Sequence, residues 1–286
     1  MPFELVTMDS LKTVIKNEKS TIDIKNLIEV YEEIAASKMQ KIRKATLDSQ
    51  AYFDGLAALS DEVALDLSQY YEGKNKFAAV FLSSETGLYG DLIEQVMVSY
   101  VNFVKKDELD AYVVGKLGAS LMKSYAPEVK FTEIDFSSDN ENVAQDDLSV
   151  LMNQLSSYSK IYVFHGRFES IARQTSASST ISGPDIQKYG EAVSKKEKEK
   201  RRYINIYEPD VNVISGKFGK EISASIIDQS VKENQLAKYA ARLMHLDGAL
   251  ENITKRIENL SISKKRMRKK MEQKKQTERI ARWQRL

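Results

Sequence analysis

The chain has 286 residues and no cysteine, with 43 Lys and Arg against 41 Asp and Glu and 42% apolar residues. Disulfides, thiolate metal sites and thiol redox switches are thereby excluded, and without a run of about 18 apolar residues no membrane-spanning helix is expected. The near-balanced charge is unevenly spread. Residues Lys255 to Leu286 carry thirteen Lys and Arg against three Glu, so this end is a basic rod whose partner should be acidic.

Met1 to Ser10 includes Glu4 and Asp9 and lacks an apolar core, which argues against an uncleaved signal. No glycine or proline interrupts Phe3 to Asp54, and a first helix is predicted from about Met8 to Tyr70, with one weak point at Gly55. Its seam of alternating three- and four-residue steps reads Ile24, Ile28, Tyr31, Ala35, Lys38, Ile42, Ala45, Ser49, Tyr52, Leu56 and Leu59, the pattern of a coiled coil. Lys38 on that seam must either carry its charge out to solvent or meet an acidic neighbour.

After a turn at Gly73 to Lys76 the period changes. Phe77 to Leu82 is a short apolar run, hence a buried strand. Ser83 to Gly90 is a glycine-bearing loop and Asp91 to Lys105 a helix. Ala111 to Val114 is a second strand, Leu117 to Tyr125 a helix stopped by Pro127, and Val129 to Phe136 a third strand. A polar loop, Asp139 to Gln145, precedes a helix over Asp146 to Ser157 and a strand over Ile161 to Phe164. Strands alternating with helices imply right-handed crossovers and a parallel sheet. The Ser/Thr-rich Thr175 to Gly183 and the charge block Lys195 to Arg202 read as loops, Tyr203 to Tyr207 as a last strand, and Gly216-Lys-Phe-Gly219 as a linker. From Lys220 onward there is no proline and one glycine. Leu243, Leu246, Leu250, Ile253, Ile257 and Leu260 form a clean heptad seam, continued by Lys264, Met267, Met271, Lys274 and Glu278. A helix of about 65 residues would be roughly 100 Å long, and a seam carrying lysine predicts that the segment from Lys264 onward is a single helix surrounded by other subunits, or is partly disordered when alone. The fold class expected is α/β: a long antiparallel coiled coil of N- and C-terminal helices (1–73 and 216–286) with an inserted parallel-sheet, Rossmann-like domain (74–215).

Chemistry-bearing constellations are scarce. No Gly-x-x-x-x-Gly-Lys-Ser/Thr occurs, so no phosphate-cradling loop of that type is expected. Ser84 to Gly90 follows a strand and opens a helix, where α/β sheets bind phosphate, but its two glycines, Gly87 and Gly90, read as a turn. His165 and His245 stand eighty residues apart. The pairs Glu32-Glu33, Asp61-Glu62 and Asp146-Asp147 point different ways on a helix. No catalytic residue, cofactor or metal ligand is assigned.

Several stretches, in order, resemble the gamma subunit, the central rotor shaft, of F-type ATP synthases. Ile34-Ala-Ala-Ser-Lys-Met39 resembles the family's Val-Ala-Ala-(Ala/Ser)-Lys-(Leu/Met), and Ser84-Glu-Thr-Gly-Leu-Tyr-Gly90 its Ser-Asp-x-Gly-Leu-Cys-Gly. Val114-Gly-Lys-Leu-Gly118 is similar to Val-Gly-(Arg/Lys)-Lys-Gly, Phe164-His-Gly-Arg-Phe168 stands where the family has Tyr-Asn-x-Phe, and Tyr207-Glu-Pro-Asp210 where it has Tyr-Glu-Pro-Ser. Ala241-Arg-Leu-Met-His-Leu-Asp-Gly-Ala249 with Asn252 is close to Ala-Arg-Met-x-Ala-Met-Asp-x-Ala-x-x-x-Asn. The resemblance implies a non-catalytic shaft whose C-terminal part enters a hexamer of alternating alpha and beta subunits. An epsilon-type subunit and a c-ring would lie at the globular end, at the cytoplasmic face of a membrane. It further implies subunit or torque contacts at Lys38, Arg242, Arg268 and Lys269, a packing role for Tyr31, and a structural turn at Gly87 and Gly90.

Departures are also present. Lys269 replaces the glutamine after the arginine matched by Arg268, Ala237-Lys238 replaces Ser-Glu, and the tip is basic where the family is mildly apolar. They motivate an alternative, the shaft of an F1-like ATPase motor not used for ATP synthesis. A rival of another class, a basic coiled-coil nucleic-acid-binding adaptor, is disfavoured because Trp283 is the only aromatic in the tail and base-reading groups are not interleaved with the charge. An enzyme built on the α/β domain is a third and weaker reading.

Overall fold

The computed structural model describes residues 8–62, 76–106, 109–134, 145–182, 208 and 211–283. It divides into two compact units, one formed by Met1–Ile34 with Met244–Leu286 and one by Ala35–Leu243. Helix α1 (Met8–Glu62) and helix α5 (Val211–Trp283) contribute to both.

Among the described residues the larger unit holds a five-stranded sheet in the order β3-β2-β1-β4-β5. Its elements are β1 (Phe77–Leu82), α2 (Leu92–Val104), β2 (Asp110–Val114), α3 (Lys116–Tyr125), β3 (Thr132–Ile134), α4 (Gln145–Leu155), β4 (Lys160–Ser170) and β5 (Arg173–Ile181). β1 is parallel to β2 and β4, and β2 to β3. Every residue of β1 after Phe77 is buried, because both faces of the sheet are covered, which is why it reads as a continuous apolar run. Ala78, Val80, Leu82 and Val163 face Leu151 and Leu155 of α4, Ile222, Ile227 and Val231 of α5, and Phe53 of α1. Ala79, Phe81, Val113 and Phe164 face Val96 and Tyr100 of α2 and Ala119 and Met122 of α3.

Four expectations need correction. Residues 175–181 are strand rather than loop, and they pair antiparallel with β4, so the sheet is mixed. β4 runs on past Phe164 to Ser170. Gly216-Lys-Phe-Gly219 lies inside α5, not in a linker, since Ser215, Phe218, Gly219 and Ile222 turn one face inward. α1 passes through Gly55 unbroken. The expected strand at Tyr203 to Tyr207 and the charge block Lys195 to Arg202 lie outside the described residues.

The α1 seam is half as expected. Within the larger unit its inward residues are Ala35, Met39, Ile42, Thr46, Ser49, Phe53 and Leu56. One column of the predicted seam is present, and the other is displaced by one residue, so that Tyr52 is exposed. α1 and α5 run antiparallel here. Tyr52 donates to Glu221 Oε1 at 3.0 Å, while Ser49 meets Asp228 and Lys232, which are themselves paired at 2.6 Å.

In the smaller unit the inward column of α1 is Leu11, Val14, Glu18, Thr21, Lys25, Ile28 and Glu32, and that of α5 is Leu246, Leu250, Ile253, Ile257, Leu260, Lys264, Met267 and Met271. The C-terminal seam is as predicted through Met271, while Lys274 and Glu278 are exposed. Its lysine does not open it, and the helix is not single from Lys264 onward: Lys264 is ion-paired with the largely buried Glu18, and Met267 and Met271 still turn inward.

Candidate functional site

In an open sheet of parallel strands, ligands bind beyond the carboxyl ends of the strands where the winding direction reverses. Here that point lies between β1 and β4, since β2 and β3 lie on one side of β1 and β4 on the other. The crevice is filled by α5. Asn234, fully buried, accepts from the Gly166 amide at 2.9 Å and donates to the carbonyls of Leu82 at 3.2 Å and Ser83 at 3.4 Å. One turn on, Lys238, 1% exposed, donates to Ser83 O at 3.2 Å. A further turn on, Arg242 donates to Gly87 O at 2.9 Å and Thr86 Oγ1 at 3.1 Å. Three polar residues at i, i+4 and i+8 thus lie on one helix face, against the end of β1 and the loop that follows it. Small neighbours permit the approach. A Cβ on Gly166 would lie 3.2 Å from Ala237 Cβ, and all residues from Asn234 to Ala241 are buried.

The Ser83–Gly90 loop is held from the other side by the turn after β2. Ser83 N donates to Val114 O and Leu117 N to Ser84 O, both at 3.0 Å. Gly115 adopts φ +95°, and a Cβ there would stand 2.7 Å from Ser84 O. Only glycine suits both demands, which gives the Val114-Gly-Lys-Leu-Gly118 motif its physical meaning. At the loop's tip the 67% exposed Leu88 has φ 71°, a conformation costing a branched side chain roughly 1–2 kcal/mol. Leu88→Asn is expected to raise stability by about 1 kcal/mol, read from the denaturant midpoint, because asparagine tolerates this conformation.

Tyr89, 3% exposed, completes the arrangement. The Arg242 guanidinium lies 4.4 Å and Lys238 Nζ 5.6 Å from its ring centre. Arg242 also lies 5.8 Å from the ring of Tyr239, over which Lys38 of α1 sits at 5.6 Å. Of the residues singled out in the sequence, Lys38, Arg242 and Gly87 are therefore gathered around Tyr89 and Tyr239, and Gly90 turns the same loop with φ 61°. Lys38 meets an aromatic face here. Tyr31, Arg268 and Lys269 belong to the smaller unit and are exposed. Sequence reading missed Asn234 and Tyr89 and took Lys238 only as a departure. The four-residue spacing of Asn234, Lys238 and Arg242 beside Ala237 and Ala241 was the available signal.

His165 sits beside this site, wholly buried within β4. Its Nδ1 lies 3.1 Å from Gly166 O, which can only accept, so Nδ1 carries the proton and Nε2 accepts from Ser179 Oγ at 2.9 Å. Burial pushes the imidazole below its ordinary value, against the opposing pull of Glu233, whose Oε2 is 3.9 Å away. Glu233 is engaged by Arg167 at 3.4 Å, and the ring is neutral. The folded state then binds fewer protons than the unfolded one below about pH 6.5, and stability falls with pH there by up to about 1.4 kcal/mol per unit. His165→Gln should flatten that slope in denaturant midpoints measured from pH 5 to 8.

Among the described residues no group of three or more His, Cys, Asp or Glu could hold a metal ion. A switch-point crevice plugged by the chain's own helix makes this an α/β protein whose sheet clamps a long helix at the place where such sheets bind ligands. The comparisons agree. The model of the ATP synthase family matches residues 10–273. The ATP synthase gamma chain of Buchnera aphidicola subsp. Diuraphis noxia is 23% identical over 270 residues, covering 89% of this chain and 91% of the relative. That of Ruthia magnifica subsp. Calyptogena magnifica is 24% identical over 272 residues, covering 88% and 90%. A chain of the Euglena gracilis mitochondrial ATP synthase OSCP/F1/c-ring structure has the same fold, with a TM-score of 0.68 and 15% identity, covering 97% of this chain and 95% of that one. The chain belongs to the ATP synthase gamma-chain family, as a divergent member.

Proposed function

We propose that this chain is the central rotor shaft of an F-type rotary ATPase, coupling ATP synthesis or hydrolysis in an alpha–beta hexamer to rotation, and that it has no catalytic site of its own. The observation that carries the reading is the plug at the switch point. Where a related sheet would hold a phosphate, Asn234, Lys238 and Arg242 bind the β1 end and its loop, so the sheet and this stretch of α5 move as one body. A rotor needs that stiffness, because slip between helix and domain would dissipate the torque that an asymmetric shaft exchanges with three catalytic sites.

The helical partners would be alpha and beta subunits, with an epsilon-type subunit and a c-ring at the sheet domain. In the smaller unit Ile24, Leu27, Val30, Tyr31 and Ile34 leave an exposed apolar stripe on α1, a feature that marks association surfaces and suits a surrounding hexamer. Arg268 and Lys269 would contact partners directly, whereas Lys38 and Arg242 would act inside the chain, bracing α1 and the loop against α5. Among the described residues no helix is long and apolar enough to cross a membrane. Attachment at the cytoplasmic face would therefore run through the complex.

The test is purification of the native complex with subunit counting and an ATPase assay. Three copies each of two nucleotide-binding subunits per copy of this chain are expected, and nucleic acid in their place would sink the reading. A second reading, a motor not used for synthesis, is favoured by the basic C-terminal end. A c-ring in the same particle would exclude it, and reproducible absence of the ring in mild detergent would favour it.

A further inference from the structure

We infer that Ser49 and Tyr52 fix the axial register of α1 on α5, acting as a pin that stops one helix from sliding along the other within the larger unit. Ser49 is buried between the two helices, and its hydroxyl is used in both directions. It donates to Asp228 Oδ2 and accepts from Lys232 Nζ at 3.1 Å, while Lys232 and Asp228 are themselves paired at 2.6 Å. Further along the same helix, Tyr52 donates to Glu221 Oε1 at 3.0 Å. Both hydroxyls thus cross from α1 to α5, and the two carboxylates that receive them stand one heptad apart on α5.

Apolar contacts discriminate poorly between registers. Ala35, Met39, Ile42, Phe53 and Leu56 turn one apolar column of α1 inward, and helices displaced by a heptad still present columns of the same kind to each other. The polar groups do not allow that displacement. One heptad to either side of Ser49 stand Ile42 and Leu56, and one heptad to either side of Tyr52 stand Ala45 and Leu59. None of the four carries a hydroxyl. A slide of one heptad in either direction, about 10 Å along the axis, sets the Asp228–Lys232 pair against an aliphatic side chain and takes the phenol from Glu221. Asp228 and Lys232 keep only 22% and 26% of their side chains exposed, so water does not fully replace the lost hydroxyl, and the displaced register carries the cost of polar groups buried without partners. A polar residue in an apolar seam selects one register for this reason. On the rotor reading, a fixed register keeps α1 and α5 turning as one shaft rather than as two helices that slip.

The test uses the full chain, which has no cysteine of its own. Nitroxide labels are placed at Lys44→Cys on α1 and Lys217→Cys on α5, both exposed positions, and the distance between them is measured by pulsed electron paramagnetic resonance. The otherwise unchanged chain should give a single distance population. Ser49→Ala combined with Tyr52→Phe removes only the two hydroxyl groups, and should add a second population displaced by up to about 10 Å. Ser49→Thr keeps a hydroxyl at the same place and should give one population again. A single, unshifted population in the double variant overturns the inference and assigns the register to the packing of Phe53 in the sheet core. Equal broadening in Ser49→Thr and in the double variant also overturns it, because any change at this position would then loosen the contact. Loss of helical circular dichroism in the double variant overturns it as well, since the hydroxyls would be holding the fold rather than choosing its register. None of these outcomes bears on the rotor reading, which the subunits that co-purify decide.

Discussion

Asn234→Ala is expected to lower the stability of the larger unit by about 3–4 kcal/mol. The substitution removes an amide that satisfies the Leu82 carbonyl at the end of β1 and the Gly166 N–H in β4, just past the last residue of β4 that pairs with β1. It leaves a donor and an acceptor without partners in a fully buried site, at roughly 1–3 kcal/mol for each. Ser83 O keeps its bond from Lys238, which is why the loss is not larger. In a domain of this size the change corresponds to a melting temperature lower by about 10 °C. The effect should be local. Amide exchange at Gly166 should accelerate most, while amides of α1 and α5 in the smaller unit keep their protection. A loss below about 1 kcal/mol would mean that water replaces the amide easily and that the crevice is not a rigid joint. In the assembled motor the same variant should hydrolyse ATP yet transmit less work, visible as lower torque on a bead attached through the sheet domain.

The contrast between what could and could not be read from the sequence follows burial. Phe77 to Leu82 announces itself because both faces of β1 are covered and no polar residue is tolerated. β5 is hidden because, among the described residues, it is an edge strand with one neighbour, where Arg173-Gln-Thr-Ser-Ala-Ser-Ser-Thr can remain half exposed. On α1 the periodicity was visible but its phase was not. Ile24, Tyr31 and Tyr52 are apolar and exposed, while Lys25, Glu32 and Thr46 occupy the inward column. A seam assigned by hydrophobicity follows the surface kept for partners as readily as the one kept for the neighbouring helix. The joint itself was the least legible part, because a polar residue in a long helix is most often at its surface. Asn234 and Lys238 reverse that rule by meeting backbone carbonyls that the ends of the strands leave without sheet partners.

The second large effect concerns the residue at which this chain reverses the family's charge. Lys238→Glu introduces the acidic residue of the family pattern, and is nonetheless expected to cost about 3–5 kcal/mol, the range for an uncompensated buried charge. The carboxylate would face Ser83 O, which now accepts from Lys238 Nζ, and the electron-rich face of Tyr89 5.6 Å away. Both repel an anion. Lys238→Met keeps the length of the stem and should cost only about 1–2 kcal/mol, separating charge from volume. Tyr89 stands where the family pattern has cysteine, and both the Lys238 and the Arg242 cation lie against its ring. The two departures are therefore one change: an aromatic ring flanked by cations where the family has a small residue near a carboxylate. A double-mutant cycle tests this directly. Tyr89→Cys alone should be destabilising through the cavity it leaves. Combined with Lys238→Glu it removes the ring that repels the carboxylate and frees Arg242 to pair with it. The double variant should then be more stable than the sum of the single losses by at least about 1 kcal/mol. Strict additivity would show that the two positions changed independently, and that the stacking of Arg242 on Tyr89 contributes nothing to the joint.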